Sequence, residues 1–394
     1  MERLIAEKWR RTLGVAPLLK ALRARQGLSR YVGGAVRDEL LGLPINDVDL
    51  ATKLRPQEVI ERLEQAGIKA VPTGIDHGTI TAVSHGHPFE ITSLRRDVSA
   101  DGRRAIIEYT DDWKEDAARR DFTINALMAD PISGEIFDYF GGLEDLRARR
   151  VRFIGDPLQR IAEDHLRILR FFRFYARFAE GPPDGPALAA CATRANDLMA
   201  LSRERIADEL LKLLAVTNPV PTVGLMIDHG IFAPVLPEIE GSAVTRLSAL
   251  VSAESDAKLK ADPLRRLVAL LPANPEIVDR VATRLKLSNK QRKRAVCAAG
   301  TDLGPNRSAL AYQVGSECAV DRLLLAGRAE DAAFACSWTP PRLPITGGEL
   351  IARGVVQGPE VARKLREIEG EWIAAGFPTG PEFEALAALV LQRS

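Results

Sequence analysis

The sequence predicts an α+β fold in which a mixed α/β domain precedes a long, all-helical region. Within residues 1–150, short runs rich in Val, Ile and Thr alternate with helical patterns. Beyond Asp156, apolar residues recur at spacings of three and four almost to the end of the chain. The 394 residues also exceed the usual domain length of about 100 to 200 residues, so we expect more than one domain.

Composition indicates a soluble globular protein, with 46% hydrophobic and 27% charged residues. No apolar run approaches the roughly 18 residues that a membrane-spanning helix needs, and the stretch MERLIAEKWRRTLG is charged throughout, unlike a signal peptide. We therefore expect a cytoplasmic protein without a membrane partner. The four cysteines are far apart and lack a C-x-x-C motif, which predicts reduced, buried thiols and no zinc site. They are Cys191, Cys297, Cys318 and Cys336.

The first chemical signal is the segment YVGGAVRDELLG at residues 31–42. Gly33 and Gly34 lack a Cβ atom, so the backbone there can approach a ligand closely. A helical pattern from Ala35 to Leu41 follows directly, and the first N–H groups of a helix suit an anion such as phosphate. These residues predict a phosphate-binding turn.

A pair of carboxylates follows the turn, where Asp47, Val48, Asp49 and Leu50 alternate as in a strand. Side chains two apart on a strand share a face, so both carboxylates would lie together and repel each other without a cation between them. Carboxylates are hard ligands that suit Mg²⁺; two turn carboxylates are the alternative. Glu90 is a candidate third ligand if its predicted strand lies beside the first, and a solvated glutamate otherwise.

Three Val-, Ile- and Thr-rich runs predict further strands in this domain: IKAVPT, GTITAVS and PFEITSL. Gly, Pro or Asp bounds these runs, as is typical of strand ends. After them, the polar stretch SADGRR predicts a flexible loop at residues 99–104. The whole set indicates a small domain with a mixed sheet.

The next dense cluster is EDAARRDFTINAL at residues 115–127. Arginine suits bidentate contacts with phosphate, so Arg119 or Arg120 is a candidate to hold a triphosphate that Asp121 orients. Asn125 lies in the helical run that follows. A surface charge cluster is the alternative interpretation.

The segment from Asp156 to Phe178 predicts one long helix, with Asp156 as N-cap and Pro157 at its first position. Asp164 and Arg167 are three residues apart and so are neighbours on one helix face. Such a pair presents an acceptor beside donors, which matches the amino group and ring nitrogen shared by the Watson–Crick edges of cytosine and adenine. Uracil and guanine instead turn a carbonyl toward the carboxylate. An ordinary helical salt bridge is the alternative.

The same helix carries a stripe of arginines interleaved with aromatic residues. The stripe suits nucleic-acid phosphates, although aromatic residues at this spacing also form cores. A second basic run, RLKLSNKQRKR at residues 284–294, has a solvated face as its alternative. The arginines of the stripe are Arg167, Arg170, Arg173 and Arg177.

Several enzyme classes are disfavoured. The five histidines show no H-E-x-x-H or H-D pattern, which argues against histidine-based metal hydrolysis. No G-x-S-x-G occurs, which argues against a serine hydrolase. The segment GGAVRDELLG lacks the G-x-G-x-x-G spacing of dinucleotide-binding oxidoreductases.

Taken together and in this order, the motifs resemble the class II tRNA nucleotidyltransferase and bacterial poly(A) polymerase family, whose head is a polymerase-β-like nucleotidyltransferase domain. The resemblance implies a catalytic head at 1–150, a helical neck at 151–215, a helical body at 216–300 and a helical tail at 301–394. The segments that carry it, within residues 31–214, are GGAVRDELLG, DVDLAT, RRDFTINAL, FDYFGGLEDLRARRVRFIGDP, EDHLRILRFFRF and SRERIADELLKLL.

The resemblance also implies roles for individual residues. It implies that Asp47 and Asp49 bind catalytic Mg²⁺, and that Asp164 and Arg167 select CTP or ATP without a nucleic-acid template. The stretch at 101–104 resembles the loop that the family uses when it switches from C to A. The other residues that we assign to nucleotide binding are Gly33, Gly34, Arg37, Arg119, Arg120, Asp121, Asn125, Arg170 and Arg173.

We therefore expect addition of CCA to the 3′ end of tRNA, by Mg²⁺-dependent attack of the 3′-hydroxyl on the α-phosphate of CTP or ATP with release of pyrophosphate. No long arginine-rich segment follows the predicted body, which favours CCA addition over poly(A) addition. Poly(A) polymerase, CC-only and A-only enzymes stay alternatives. A non-catalytic RNA-binding relative is the alternative of a different class, and the presence of both Asp47 and Asp49 disfavours it.

Overall fold

The computed structural model describes residues 3–4, 14–45, 47–101 and 104–393. The chain forms two compact units. The first contains Met1–Leu213 and His229–Val235, and the second contains Leu214–Asp228 and Leu236–Ser394. The main sheet lies in the first unit, and the described part of the second unit is built from helices.

A mixed sheet forms the centre of the first unit. The strands are β1 Ser29–Val32, β2 Asp49–Thr52, β3 Lys69–Gly74, β4 Thr79–Ser84, β5 His87–Ser93, β6 Arg95–Asp101, β7 Arg104–Tyr109, β8 Met128–Ala129 and β9 Ile136–Phe137. Seven of them lie in the order β3-β4-β5-β2-β1-β8-β9, and β6 pairs with β7. β2 and β5 run parallel, whereas the other neighbours are antiparallel. The predicted mixed sheet and the α+β class are confirmed.

The three strands predicted from Val, Ile and Thr content are confirmed as β3, β4 and β5. Burial alternates along β4, as expected for a strand with one face on a core. Ile80 and Ala82 of β4 and Ile91 of β5 are buried. These apolar side chains therefore fix which face of the sheet is covered.

The loop predicted at residues 99–104 is wrong at Ser99–Asp101 and at Arg104, which belong to strands. Backbone pairing between β6 and β7 extends to Asp101 opposite Arg104, so Ser99–Asp101 belong to a strand. Residues 102 and 103, on which the loop prediction depends, lie outside the described residues.

Helices surround the sheet and continue beyond it in the first unit. Aspartate side chains cap three of them, since Asp112, Asp156 and Asp184 each accept a hydrogen bond from an N–H in the first turn. The helices are α1 Val15–Ala21, α2 Gly34–Leu40, α3 Pro56–Gln65, α4 Trp113–Ala118, α5 Gly142–Arg147, α6 Pro157–Glu163, α7 Arg167–Phe178, α8 Gly185–Thr193 and α9 Arg203–Leu214.

The single helix predicted from Asp156 to Phe178 is wrong, because the chain breaks between α6 and α7. Asp164 has an extended backbone with φ −151° and ψ 105°. Its carboxylate accepts a hydrogen bond from the N–H of Leu166 at 3.1 Å. An aspartate that binds a nearby backbone N–H in this way competes with the helical hydrogen bond. The break places Asp164 at a junction between two helices.

The aromatic residues of α7 form core. Phe171, Phe172, Phe174 and Phe178 are buried, and the ring of Phe174 lies 5.3 Å from that of Phe122 between centroids. The core interpretation of these aromatics is therefore confirmed, and the arginines between them lie on another part of the helix surface.

The second unit is helical throughout its described residues. One apolar cluster gathers around Leu250 and Leu323, and another around Trp372 and Phe383. In the described part of the whole chain, none of the helices has the length and apolar character that crossing a membrane requires. The helices are α10 Val220–Asp228, α11 Ser242–Asp256, α12 Pro263–Leu270, α13 Pro275–Arg284, α14 Asn289–Ala298, α15 Arg307–Val314, α16 Ser316–Leu325, α17 Ala329–Ser337, α18 Gly347–Ala352, α19 Pro359–Ala374 and α20 Pro381–Gln392.

The prediction of four reduced, buried cysteines is wrong for three of them. Cys297 in α14 and Cys318 in α16 form a disulfide, with their Cα atoms 6.0 Å apart. The sequence hides this pair, because only the packing of α14 against α16 brings the two positions together. Cys336 is exposed, whereas Cys191 is a buried thiol whose pKa is raised by burial.

Candidate active site

Most of the residues predicted to carry chemistry line one cavity of about 440 Å³ in the first unit. The cavity brings together the turn after β1, the start of β2, the segment after α4 and the two ends of the α6–α7 junction. Asp47, Glu90 and Arg119 are not among its lining residues. The lining residues are Gly33, Gly34, Arg37, Asp49, Arg120, Asp121, Asn125, Asp164, Arg167, Arg170, Arg173 and Phe174.

The two glycines at the turn between β1 and α2 differ in what they require. Gly33 has φ +66°, in the left-handed region that favours glycine, and a Cβ there would lie 3.2 Å from Nη1 of Arg120. Its N–H donates to the carbonyl of Leu127 at 3.1 Å, so it holds the turn against the sheet. A Cβ on Gly34 would meet only Nη2 of Arg37, at 3.5 Å. The backbone conformation therefore favours glycine at position 33, whereas glycine at position 34 leaves space in the cavity that a side chain would fill.

Asp49 carries the carboxylate on the sheet side of the cavity. Its register partner in the parallel β2–β5 pair is Glu90, which confirms the prediction that these two strands are neighbours. Burial, followed by the charge of Glu90, raises the pKa of Asp49 to about 6, against the opposing charge of Arg120. At neutral pH the charged form of Asp49 is therefore energetically unfavourable, and a bound cation would stabilise it.

Asp47 lies before β2 and is exposed, so the strand predicted from Asp47 is wrong in its first two residues. The reason is that β1, which pairs with β2, ends at Val32 and turns at Gly33, so it offers no residue opposite Asp47. The charge of Asp47 still contributes to the raised pKa of Asp49. Among the described residues, no group of three or more His, Cys, Asp or Glu is placed to hold a metal ion.

Two arginines behind Asp49 share one buried carboxylate. Arg119 and Arg120 contact Asp116 at 2.8 Å and 3.3 Å. Burial opposes the charged form of Asp116, but the two guanidinium groups lower its pKa overall. Nε of Arg120 is buried and makes no hydrogen bond. Arg120 therefore lines the cavity and interacts with both Asp116 and Asp49. Arg119 does not line the cavity and pairs with Asp116.

A continuous buried chain of polar contacts joins α2 to α7. Nη1 of Arg37 donates to Oδ1 of Asn125 at 2.5 Å, and Nδ2 of Asn125 donates to Oδ1 of Asp121 at 3.0 Å. Asp121 contacts Arg170 at 2.6 Å, and Arg37 contacts Asp38 at 2.7 Å. Burial opposes the charged form of Asp121, but Arg170 and the hydrogen bonds hold its pKa below the usual range. The chain fixes the orientation of both arginines at the cavity.

Asp164 and Arg167 both line the cavity, but the predicted shared helix face is wrong because α6 ends before Asp164 and α7 begins at Arg167, and each side chain forms its ion pair with another residue. Nη2 of Arg205 donates to both carboxylate oxygens of Asp164, at 3.1 Å and 2.9 Å. Arg167 contacts Glu163 at 2.6 Å and donates to the carbonyl of Arg119 at 3.2 Å. Each of the two side chains is therefore held by its own partner, Arg205 for Asp164 and Glu163 for Arg167.

Acidic residues pair with the arginine stripe of α7. Glu209 of α9 contacts Arg173 at 2.6 Å and Arg170 at 3.9 Å. The guanidinium carbon of Arg173 lies 4.3 Å from the ring centroid of Phe174. The stripe is therefore ordered by buried carboxylates and is less available to nucleic-acid phosphates than the sequence alone predicts.

The sequence interpretation missed the residues that hold the cavity side chains in place. Arg205 and Glu209 are four apart on α9, so the spacing does show that they share a helix face. What it does not show is that this face lies against Asp164 and α7, because that depends on how distant segments pack. The missed partners are Asp38, Glu163, Arg205 and Glu209.

The arrangement defines what the cavity can bind. One wall has a carboxylate with a raised pKa beside a glycine turn and Arg120, which suits a phosphate chain neutralised by a cation. The other wall has Asp164 and Arg167, an acceptor and a donor that are each held by a different partner. These two side chains can accept from and donate to an uncharged group that carries both a donor and an acceptor.

Two known families match parts of this chain. Residues 29–152 match the family described as Poly A polymerase head domain. Residues 186–242 match the family described as Probable RNA and SrmB-binding site of polymerase A. The first match contains the carboxylates and the glycine turn, and the second contains Arg205 and Glu209.

Individual relatives extend the likeness over most of the chain. The mitochondrial CCA tRNA nucleotidyltransferase 1 of Mus musculus is 34% identical, over 88% of this chain and 83% of its own. The CCA-adding enzyme of Lacticaseibacillus paracasei is 33% identical, over 92% of both chains. A solved structure of the Bacillus stearothermophilus CCA-adding enzyme in complex with CTP superposes with a TM-score of 0.76 at 25% identity, covering 96% of this chain and 98% of that one.

Proposed function

The chain belongs to the class II tRNA nucleotidyltransferase and poly(A) polymerase family, and on that premise we propose that it adds CCA to the 3′ end of tRNA. In this reaction the 3′-hydroxyl of tRNA attacks the α-phosphate of CTP or ATP, and pyrophosphate leaves. One observation carries the proposal: a single cavity joins Asp49 and the glycine turn to Asp164 and Arg167. One nucleotide can therefore present its triphosphate to the first wall and its base to the second.

We assign a catalytic Mg²⁺ to Asp47 and Asp49, with Glu90 as a candidate third ligand. The donor set supports the assignment, because burial and Glu90 raise the pKa of Asp49 and a hard divalent cation would offset that repulsion. Bound Mg²⁺ makes an attacking hydroxyl more acidic and offsets charge on the leaving oxygens. The protein's own contribution is to hold the carboxylates of Asp49 and Glu90 side by side on adjacent strands, with Arg120 lining the same cavity as Asp49.

The triphosphate is assigned to Arg120 and the glycine turn. Arg120 keeps an unbonded Nε, and Gly34 leaves space that a side chain would fill. Asp121 and Asn125 act as positioning residues, since they hold Arg170 and Arg37 at the cavity.

The base is assigned to Asp164 and Arg167. Asp164 accepts from the exocyclic amino group of cytosine or adenine, and Arg167 donates to the adjacent ring nitrogen. The contacts support this assignment, because Arg205 and Glu163 hold the two side chains in place at the cavity, and a carboxylate and a guanidinium have more lone pairs and N–H donors than these contacts use. Arg205 and Glu163 are positioning residues for this pair.

We infer that the neck at 151–215 reads the base, that the body and tail at 216–394 bind tRNA, and that the protein acts in the cytoplasm. In the basic run of α14, Arg292 and Arg294 are engaged by Asp279 and Asp321. Lys290 and Lys293 are exposed. We therefore assign phosphate contacts in this run to the two lysines.

A single assay tests the activity: pure protein is incubated with Mg²⁺ and tRNA lacking its CCA end, with each nucleotide alone and with CTP and ATP together. We expect CTP alone to extend the tRNA by CC, and CTP with ATP to complete CCA and stop. Long A tails would identify a poly(A) polymerase, and extension confined to CC or to the final A would identify a specialised enzyme. No incorporation at all, with tRNA binding retained, would contradict the proposal and favour a non-catalytic relative.

A further inference from the structure

The second unit contains a cavity of about 340 Å³ that the nucleotidyl-transfer site does not use. It lies among α11, α12, α16 and the segment after α14. Most of its lining is apolar, with Val268, Leu271, Leu303 and Leu325 among the larger side chains. A volume of this size with a mainly apolar lining and few polar groups is typical of small-molecule sites.

Two guanidinium groups, those of Arg246 and Arg322, line this cavity. In the described part of the chain, their hydrogen-bond partners are all uncharged. Arg246 donates to the carbonyls of Ala269 and Leu270, both at 2.9 Å, and to the hydroxyl of Ser242 at 2.9 Å. These bonds fix the group at the cavity without cancelling its charge.

Arg322 is fixed in a similar way. Its Nε donates to the carbonyl of Cys297 at 2.7 Å, and Nη1 donates to the carbonyl of Asp302 at 3.0 Å. Gly300 lets the guanidinium lie against the chain, because a Cβ there would fall 2.4 Å from Nη2 of Arg322. Arginine carries five N–H donors, so each group keeps donors beyond those used by the backbone.

Capping the carbonyls at the ends of α12 and α14 explains part of each arginine's role. It does not explain why both half-buried cations border the same mainly apolar cavity, where their charge is only partly solvated and no carboxylate of the residues that the structure describes balances it. An anion held by the two forks would offset that cost. We propose that this cavity binds a small amphipathic anion, with an apolar body inside the cavity and one carboxylate, sulfonate or phosphate group between Arg246 and Arg322.

The test uses the full-length protein and the fluorescent sulfonate 1-anilinonaphthalene-8-sulfonate. We expect saturable binding of the dye, displacement by octanoate, and displacement by octan-1-ol that is at least about tenfold weaker because the alcohol lacks the charge-assisted bonds. Phenyl phosphate in a parallel titration distinguishes a phosphate ligand from a carboxylate ligand. Excess CTP should leave the dye bound. Equal displacement by octanoate and octan-1-ol, or displacement by CTP, would overturn the proposal.

Variants locate the site. Arg246→Gln and Arg322→Gln should each weaken dye and octanoate binding by about tenfold or more, and Ala326→Phe should block binding by filling the cavity. Arg328→Gln is the matched control, because this exposed arginine pairs with Asp331 and does not line the cavity. Arg322→Lys keeps the positive charge but loses the paired N–H donors of the guanidinium, so it should bind the dye and octanoate with intermediate affinity. This variant keeps the test informative if Arg322→Gln fails to fold. Wild-type dye affinity in Ala326→Phe, or in both Gln variants, would place the binding elsewhere and overturn the proposal.

Discussion

Asp49 in the first unit and Asp321 in the second are both carboxylates drawn away from water, yet their surroundings differ. Asp321 is 1% exposed and accepts from Nε of Arg265 and Nε of Arg294, both at 2.7 Å. Asp49 has Arg120 as its counter-charge, but burial and Glu90 outweigh it and raise its pKa to about 6. The charge of Asp321 is balanced by two arginines, whereas the charge of Asp49 is not fully balanced by Arg120.

The two surroundings predict different roles: stability for Asp321 and ligand binding for Asp49. Around Asp321, Glu254 also binds Arg265 and Arg266, at 2.8 Å and 2.9 Å, so buried charges of opposite sign satisfy each other and tie α11, α12, α14 and α16 together. Around Asp49 the residues leave negative charge uncompensated beside a cavity. An uncompensated buried charge costs stability, and such groups concentrate at functional sites. The comparison supports the proposal that Asp49, rather than Asp321, binds a cation.

The largest expected effect is on catalysis. Asp49→Ala and Asp47→Ala should each lower CTP incorporation by roughly a thousandfold or more, since loss of the cation forfeits several kcal/mol of transition-state stabilisation. Labelled CTP incorporation into tRNA at several Mg²⁺ concentrations measures this. Without divalent cations the melting temperature should not fall below that of the wild type, and tRNA affinity should stay near the wild-type value; Asp76→Asn, an exposed aspartate of the same unit, is the control. Activity within about tenfold of wild type in both variants would refute the metal assignment.

The second prediction tests the stabilising role of Asp321. Asp321→Asn should lower the free energy of unfolding of the second unit by about 3 kcal/mol, because Arg265 and Arg294 lose a buried partner. Urea unfolding followed by circular dichroism measures the change. A loss below about 0.5 kcal/mol, the range of ordinary surface substitutions, would show that this network is not a stability element.

An intermediate effect is expected at the base-binding wall. Arg205→Ala should raise KM for CTP and ATP by about tenfold, since Asp164 loses two hydrogen bonds that hold its carboxylate. The kcat should change less, because Arg205 touches no reacting atom. Arg205→Lys should recover part of the affinity. If kcat falls by a similar factor while KM stays unchanged, a positioning role for Arg205 is contradicted.

The smallest effect concerns stability at the metal site and has a defined sign. The folded-state pKa of Asp49 lies above its usual value of 3.8, so its charged form destabilises the fold above pH 3.8, and fully so above about pH 6. Asp49→Asn should therefore raise the melting temperature by roughly 2–4 °C at pH 7.5 without divalent cations. The gain should vanish as the pH falls from 6 to below 3.8.

Added Mg²⁺ extends the same experiment. It should stabilise the wild type and leave Asp49→Asn unchanged, because only the charged carboxylate gains from the cation. A variant less stable than the wild type at pH 7.5 without Mg²⁺ would mean that Asp49 is matched in the same way as Asp321, and the comparison would fail.

How much of this could be predicted from the sequence depends on how local each feature is. Strands β3 to β5, the glycine turn and the helical second half follow from local patterns, and the structure confirms them. The helix break at Asp164 does not, because the competing hydrogen bond to Leu166 and the contact with Arg205 arise only when α9 packs nearby. The Cys297–Cys318 disulfide was missed for the same reason. Family resemblance named Asp164 and Arg167, but only the structure gives each of them its own partner.

The most direct test of the account measures kcat/KM of Asp164→Ala for all four nucleotides on tRNA that lacks its CCA end. With the acceptor gone, CTP and ATP should each lose about one to two orders of magnitude, and discrimination against UTP should fall by a similar factor. Residual activity should still require Mg²⁺, since Asp47 and Asp49 are untouched, and Arg167→Ala should weaken CTP and ATP without admitting UTP. If Asp164→Ala keeps the wild-type preference for CTP over UTP, Asp164 does not read the base, and the assignment of the second wall is wrong.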